Sequence, residues 1–141
     1  MSKPAIQLAP ERHAQIKAIS AALELSISEV IARFINDEIA AGTIPAGIEG
    51  LNIHRDGDTL LVGFDDQPPV RFSREGVTNL STILREFADA KKPAEKVANM
   101  RHDYMIERKG NGVKLTVPLS GSVTKSWSRD LARDAADLLA S

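Results

Sequence analysis

An α+β fold in two parts is predicted by three features of the sequence. Residues 1–44 hold a short alternating strand followed by two amphipathic helical runs; residues 45–50 carry Pro45, Gly47 and Gly50 and read as a linker. Residues 51–141 repeat a strand-turn-strand-loop-helix pattern, at about 51–90 and again at about 104–140, as a duplicated ββα-ββα domain.

Composition sets the class. Hydrophobic residues are 43% and charged residues 26%, which is enough apolar material for a packed core and too little charge for a disordered chain. Aromatics are only 4%, so an aliphatic core is expected, with Phe34, Phe64, Phe72, Phe87 and Trp127 as its large pieces. No apolar run approaches bilayer length and the N-terminus lacks a signal-peptide core, so a cytoplasmic protein without membrane contact is expected. The absence of cysteine removes disulfides, thiolate metal sites and thiol nucleophiles together.

From Pro4 to Leu8 the residues alternate, with Pro4, Ile6 and Leu8 on one face and Lys3, Ala5 and Gln7 on the other. Such a strand leaves its backbone groups unpaired unless a second copy of the chain supplies a partner. Pro10 suits a first helical position, and Glu11 follows at the positive end of the helix dipole. Ile16, Ile19 and Leu23 then mark one buried stripe of a helix from about Pro10 to Glu24. Ser28 is the expected N-cap of the next helix, with Ile31 where a capping box would place Glu or Gln. Val30, Ile31, Phe34, Ile35 and Ile39 form its apolar face, and Gly42 stops it.

An alternating strand, a helix of about four turns, the turn Ser26-Ile27-Ser28-Glu29 and an Ile/Val-rich second helix resemble the ribbon-helix-helix DNA-binding proteins, the family of MetJ and Arc. The resemblance covers the first third of the chain. The family usually has glycine where this chain has Glu24. The resemblance implies a homodimer whose paired strands enter the major groove of double-stranded DNA. It implies that Lys3, Ala5 and Gln7 face the bases, that Arg12 and Lys17 assist at the backbone, and that amides around Ser26 and Ser28 hold a phosphate. Ala5 offers a base only a methyl contact. Charge runs against this reading: in residues 1–45 Lys3, Arg12, Lys17 and Arg33 are outnumbered by Glu11, Glu24, Glu29, Asp37 and Glu38. The alternative is a helical hairpin that only dimerises, in a protein-interaction adaptor such as an antitoxin or a phage or plasmid accessory factor.

In the second part, Ile53-His54-Arg55-Asp56-Gly57 matches Ile106-Glu107-Arg108-Lys109-Gly110, and Phe72-Ser73-Arg74-Glu75 matches Trp127-Ser128-Arg129-Asp130. Asp56-Gly57 and Gly110-Asn111-Gly112 are hairpin turns that ask for positive φ. Ser73 and Ser128 are expected N-caps of helices whose apolar residues are Val77, Leu80, Ile83, Leu84 and Phe87, then Leu131, Ala135, Leu138 and Leu139. The stretch from Lys91-Lys92-Pro93 to Arg101 is expected to be a solvated connector anchored by Val97 and Met100, with a supplementary phosphate patch as a second reading.

Catalytic chemistry is not expected. His13, His54 and His102 have no metal-ligand spacing, and His102-Asp103 lacks a serine or second acid placed by motif. Asp65-Asp66 reads as a loop, and Gly110-Asn111-Gly112 opens no helix and so is not a phosphate loop. The combined expectation is a homodimeric, repressor-like transcriptional regulator without enzyme activity, metal or cofactor. A higher oligomer or a protein partner would form through the C-terminal domain.

Overall fold

A computed structural model describes residues 4–89 and 95–141. The fold is mixed α+β, with four helices and two antiparallel sheets among the described residues. The chain divides into two compact units, Met1–Pro45 and Ala46–Ser141.

The first unit is a helical hairpin. Helix α1 spans Pro10–Leu23 and opens on Pro10, where a missing N–H leaves no helical bond unmade. It ends at Glu24, which takes the left-handed conformation (φ 55°, ψ 40°) and turns the chain. Helix α2 spans Ile27–Ala40. Its N-cap is Ser26, not Ser28: the Ser26 hydroxyl accepts from the Glu29 amide at 3.1 Å, and the Glu29 carboxylate lies 3.2 Å from the same hydroxyl. Ser26 and Glu29 therefore hold the capping-box positions, one serine earlier than the sequence reading placed the helix start. The expected 3–8 strand is not formed: Lys3 lies outside the described residues, and Pro4–Ala9 have no regular structure. One chain by itself offers that strand no neighbour to pair with.

The second unit contains two halves. Strands β1 (Leu51–Asp56), β2 (Thr59–Phe64) and β3 (Val70–Ser73) form one meander that runs into α3 (Arg74–Asp89). Strands β4 (Lys96–Asn99), β5 (Tyr104–Lys109), β6 (Gly112–Val117) and β7 (Val123–Ser128) form the other, which runs into α4 (Arg129–Ala140). Both expected hairpins are present, closed by Asp56 opposite Thr59 and Lys109 opposite Gly112, with Gly57 and Gly110 at positive φ. Two strands per helix were expected; the first half has three and the second four.

The missed strands have identifiable disguises. In β7 the inward position between Val123 and Trp127 is Lys125, whose ammonium is neutralised by Asp65 at 2.9 Å. Strand β3 is only four residues long and follows Pro68-Pro69. The expected connector also contributes strand β4, in which Val97 packs against the core while Met100, expected as an anchor, is exposed. Lys91, Lys92 and Pro93 lie outside the described residues.

Helices α3 and α4 pack on one another over the inner faces of the sheets. Val77, Leu80, Leu84 and Phe87 of α3 meet Ala132, Ala135, Ala136 and Leu139 of α4, and the alanines let the axes approach closely. That is a shift from the expected α4 stripe: Leu131 is exposed and Leu138 only half-buried. Ser81 donates its hydroxyl to the Ala136 carbonyl at 2.7 Å across this contact. Ser73 caps α3 by accepting from the Gly76 amide at 2.9 Å, whereas the Ser128 side chain makes no cap bond to α4. Arg129 donates from Nε and Nη2 to the Ala88 carbonyl, placing a cation at the negative end of α3.

Candidate nucleic-acid interface

The hairpin of the first unit is built from two helices that bury nothing. No residue of α1 or α2 is buried, and Ile19, Leu23, Ile31, Phe34 and Ile35 are all exposed, Phe34 at 65% of its surface. Ile16, Val30 and Ile39 are half-buried where the helices touch. Of the expected apolar stripes, then, only these three are covered within one chain. Five large apolar side chains in one small unit amount to a contiguous need for a partner, since a unit of this size has no other core.

Of the residues expected to meet DNA, Lys3 lies outside the described residues and the others are on the surface of this unit. Ala5 and Gln7 are exposed in the segment before α1, as are Ile6 and Leu8, so one chain does not sort them into an inner and an outer face. Arg12 lies in the first turn of α1 and donates to the Gln15 side-chain oxygen at 2.9 Å; Lys17 is exposed one turn further on. Ser26 is occupied as the N-cap, which directs its hydroxyl to the Glu29 amide and away from a ligand. Ser28 is the second residue of α2 and is exposed. Glu29 is the residue the sequence reading missed here. Its carboxylate supports the cap and adds negative charge where a phosphate would sit, so the α2 N-terminus is a less basic cradle than its amides alone would make. The signal was in the sequence as Ser-x-x-Glu counted from Ser26.

The groups weighed for catalysis serve the architecture of the second unit. The His102 amide donates to the Asn99 side-chain oxygen at 2.8 Å, and its ring packs against Gly76. Asp103, at positive φ, accepts from the Leu119 amide at 3.0 Å. Asp65 accepts from Lys125. Among the described residues no cluster of three or more His, Asp or Glu is placed to hold a metal ion, and no helix is long and apolar enough to cross a membrane. A hollow of about 350 Å³ borders α3 at Thr82, Arg85, Glu86 and Asp89, but Arg85 and Asp89 are engaged by Asp137 and Arg133.

One polar network is buried. Tyr104, fully inaccessible, donates its hydroxyl to the Asn79 side-chain oxygen, which also accepts from the Asn99 amide at 2.8 Å. Burial pushes the phenol above its ordinary value of 10.0; the Asn99 amide opposes this and the Glu86 carboxylate adds to it. Every member has a partner, so the network fixes the second sheet to α3.

No protein-family model, curated protein or solved structure matches the chain.

Proposed function

We propose that the chain is a sequence-specific DNA-binding transcriptional regulator of the ribbon-helix-helix kind, acting as a homodimer. The observation that carries this reading is the exposed apolar face of α1 and α2: Ile19, Leu23, Ile31, Phe34 and Ile35 are only partly covered within their own chain. A second copy covers them with the same stripe, and the segments around Ala5 and Gln7 then lie close enough to pair as a ribbon. In that arrangement Gln7 and Lys3 contact bases or phosphates, and Arg12 and Lys17 contact the backbone. Glu24 in the left-handed conformation is compatible with the likeness, since it takes here the positive φ that favours the glycine usual at this place in ribbon-helix-helix proteins. The second unit is read as a duplication of one strand-rich, helix-terminated element that assembles dimers on adjacent half-sites.

The test is a DNA mobility shift with the full chain on its neighbouring promoter region over a salt series. Phosphate contacts release counterions, so the shift weakens steeply as salt rises. Gln7→Ala lowers specific affinity by about 1–3 kcal/mol with the dimer intact. A chain that shifts no DNA at low salt is the adaptor instead, with α1 and α2 serving only to dimerise.

A further inference from the structure

The two halves of the second unit differ at one edge. Each contains a three-strand meander leading into a helix, β1-β2-β3 and β5-β6-β7, with Ile53 and Ile106 three residues before matched hairpin turns. In the second half, β5 is covered on its outer side by β4, antiparallel, with Val97 opposite Ile106. In the first half, β1 is bonded to β2 alone among the described residues, and none of them takes the place of β4. The consequence shows in the side chains: Ile106 is wholly inaccessible, whereas Ile53 is only half-buried.

We propose that the free edge of β1 pairs with β1 of a second copy, antiparallel across a two-fold axis, with Ile53 opposite Ile53. Backbone direction agrees with this. Arg108 donates its amide to the Glu95 carbonyl at 2.9 Å, so Tyr104, Ile106 and Arg108 turn their backbone groups toward β4. The matched hairpin turns Leu51, Ile53 and Arg55 outward in the same way. The Leu51 amide is taken by the Ile48 carbonyl at 3.1 Å, leaving its own carbonyl to accept from the facing Arg55, as Glu95 accepts from Arg108.

Side chains agree as well. A β-branched residue faces a β-branched residue at the axis, as Val97 faces Ile106, and on the outer face Asn52 stands opposite His54. Arg55 does not guard this edge as an inward charge, because Arg108 holds the matching place in β5 and β4 pairs there regardless. The pairing supplies the coupling between dimers assumed above. The four-copy assembly rests on that reading; the strand pairing does not.

Two measurements on the full chain test it. Ile53→Pro trims a half-buried side chain and removes an outward N–H, while β1 keeps its bonds to β2. A mass of four copies that falls to two, with the DNA shift retained and thermal unfolding of the second unit still cooperative, is the expected result. A fall from two copies to one keeps the strand pairing and removes the first-unit dimer. An unchanged mass overturns the pairing, whether the edge then stays open or takes another strand. The chain has no cysteine, so Ile53→Cys can form only an intermolecular bridge. Facing positions at about 5.5 Å permit it, while His54→Cys, at about 7–8 Å from its symmetry mate, does not. No bridge at position 53, or equal bridging at 54, overturns the register.

Discussion

Phe64 of β2 and Trp127 of β7 meet with ring centroids 6.1 Å apart and planes inclined at 56°, and this tilted pair bridges the two sheets of the second unit. Around it, the Gln67 amide donates to the Thr124 carbonyl and accepts from the Thr124 amide, behaving as one more residue of a strand at the β7 edge. The Lys125–Asp65 ion pair closes the same seam.

The Trp127 indole N–H is buried without an acceptor among the described residues. That makes its aromatic bulk stabilising and its polar atom a cost. Trp127→Ala is expected to destabilise the second unit by about 3–5 kcal/mol. Trp127→Phe keeps the tilted contact and removes the orphan donor, so its loss is expected to stay below about 1.5 kcal/mol. Urea unfolding followed by circular dichroism measures both, since the only tryptophan is lost in each.

The Tyr104–Asn79–Asn99 network predicts non-additive costs. Asn79→Leu leaves the Tyr104 hydroxyl buried with no acceptor, at about 1–3 kcal/mol. Tyr104→Phe removes that hydroxyl, so the double variant is expected to be more stable than the summed single losses predict. The same phenol sets a pH dependence. Its folded pKa is raised, so the stability it contributes is fully present below the ordinary 10.0 and is lost as pH rises through the folded value. This is the only tyrosine, so its phenolate absorbance reports the shift directly in folded and urea-unfolded protein.

Legibility followed the strength of local signals. The hairpins at Gly57 and Gly110 were readable because two-residue turns demand special φ values. Helices α1 to α4 were readable from apolar spacing and from proline at the start of α1. Strand β7 was not, because a lysine stands at an inward position and its carboxylate partner, Asp65, is remote in sequence. The N-cap of α2 was misplaced by two residues because Ser26 and Ser28 are equally good caps, and only the position of Glu29 separates them. The residues proposed for DNA contact rest on the resemblance. Their proposed grouping into a ribbon would be a property of two chains, which no periodicity within one chain can establish.

The α1–α2 turn gives a graded test. Ser26→Ala removes the hydroxyl that accepts from Glu29 and is expected to cost about 1 kcal/mol. Ser28→Ala, already inside the helix and exposed, is expected to change little. Glu24 sits at φ 55°, where a residue with a Cβ is disfavoured by about 1–2 kcal/mol. Glycine relieves this but has more freedom to lose on folding, about 0.5–1 kcal/mol. Glu24→Gly is therefore expected to stabilise the first unit by up to about 1 kcal/mol, read as a raised melting temperature. A loss of stability would mean that the glutamate side chain contributes more than its backbone strain removes.

Phe34 separates an isolated hairpin from an intertwined dimer, because the two assign very different magnitudes to one substitution. In a lone hairpin Phe34 is 65% exposed, and Phe34→Asp at such a surface changes stability by no more than about 0.5 kcal/mol. In a dimer the ring is covered by the second copy. Its replacement then loses an aromatic core contact, about 3–5 kcal/mol, and also places a carboxylate in an apolar interface. The expected outcome is loss of the first-unit transition and of DNA binding, with the second-unit transition unchanged. Dilution provides the matching check on the unaltered chain. Folding coupled to association makes the first-unit melting temperature fall with each tenfold dilution, while the Phe64–Trp127 unit gives the same midpoint once any pairing at β1 is blocked by Ile53→Pro. A first-unit midpoint independent of concentration, together with a neutral Phe34→Asp, would remove the dimer and the ribbon with it.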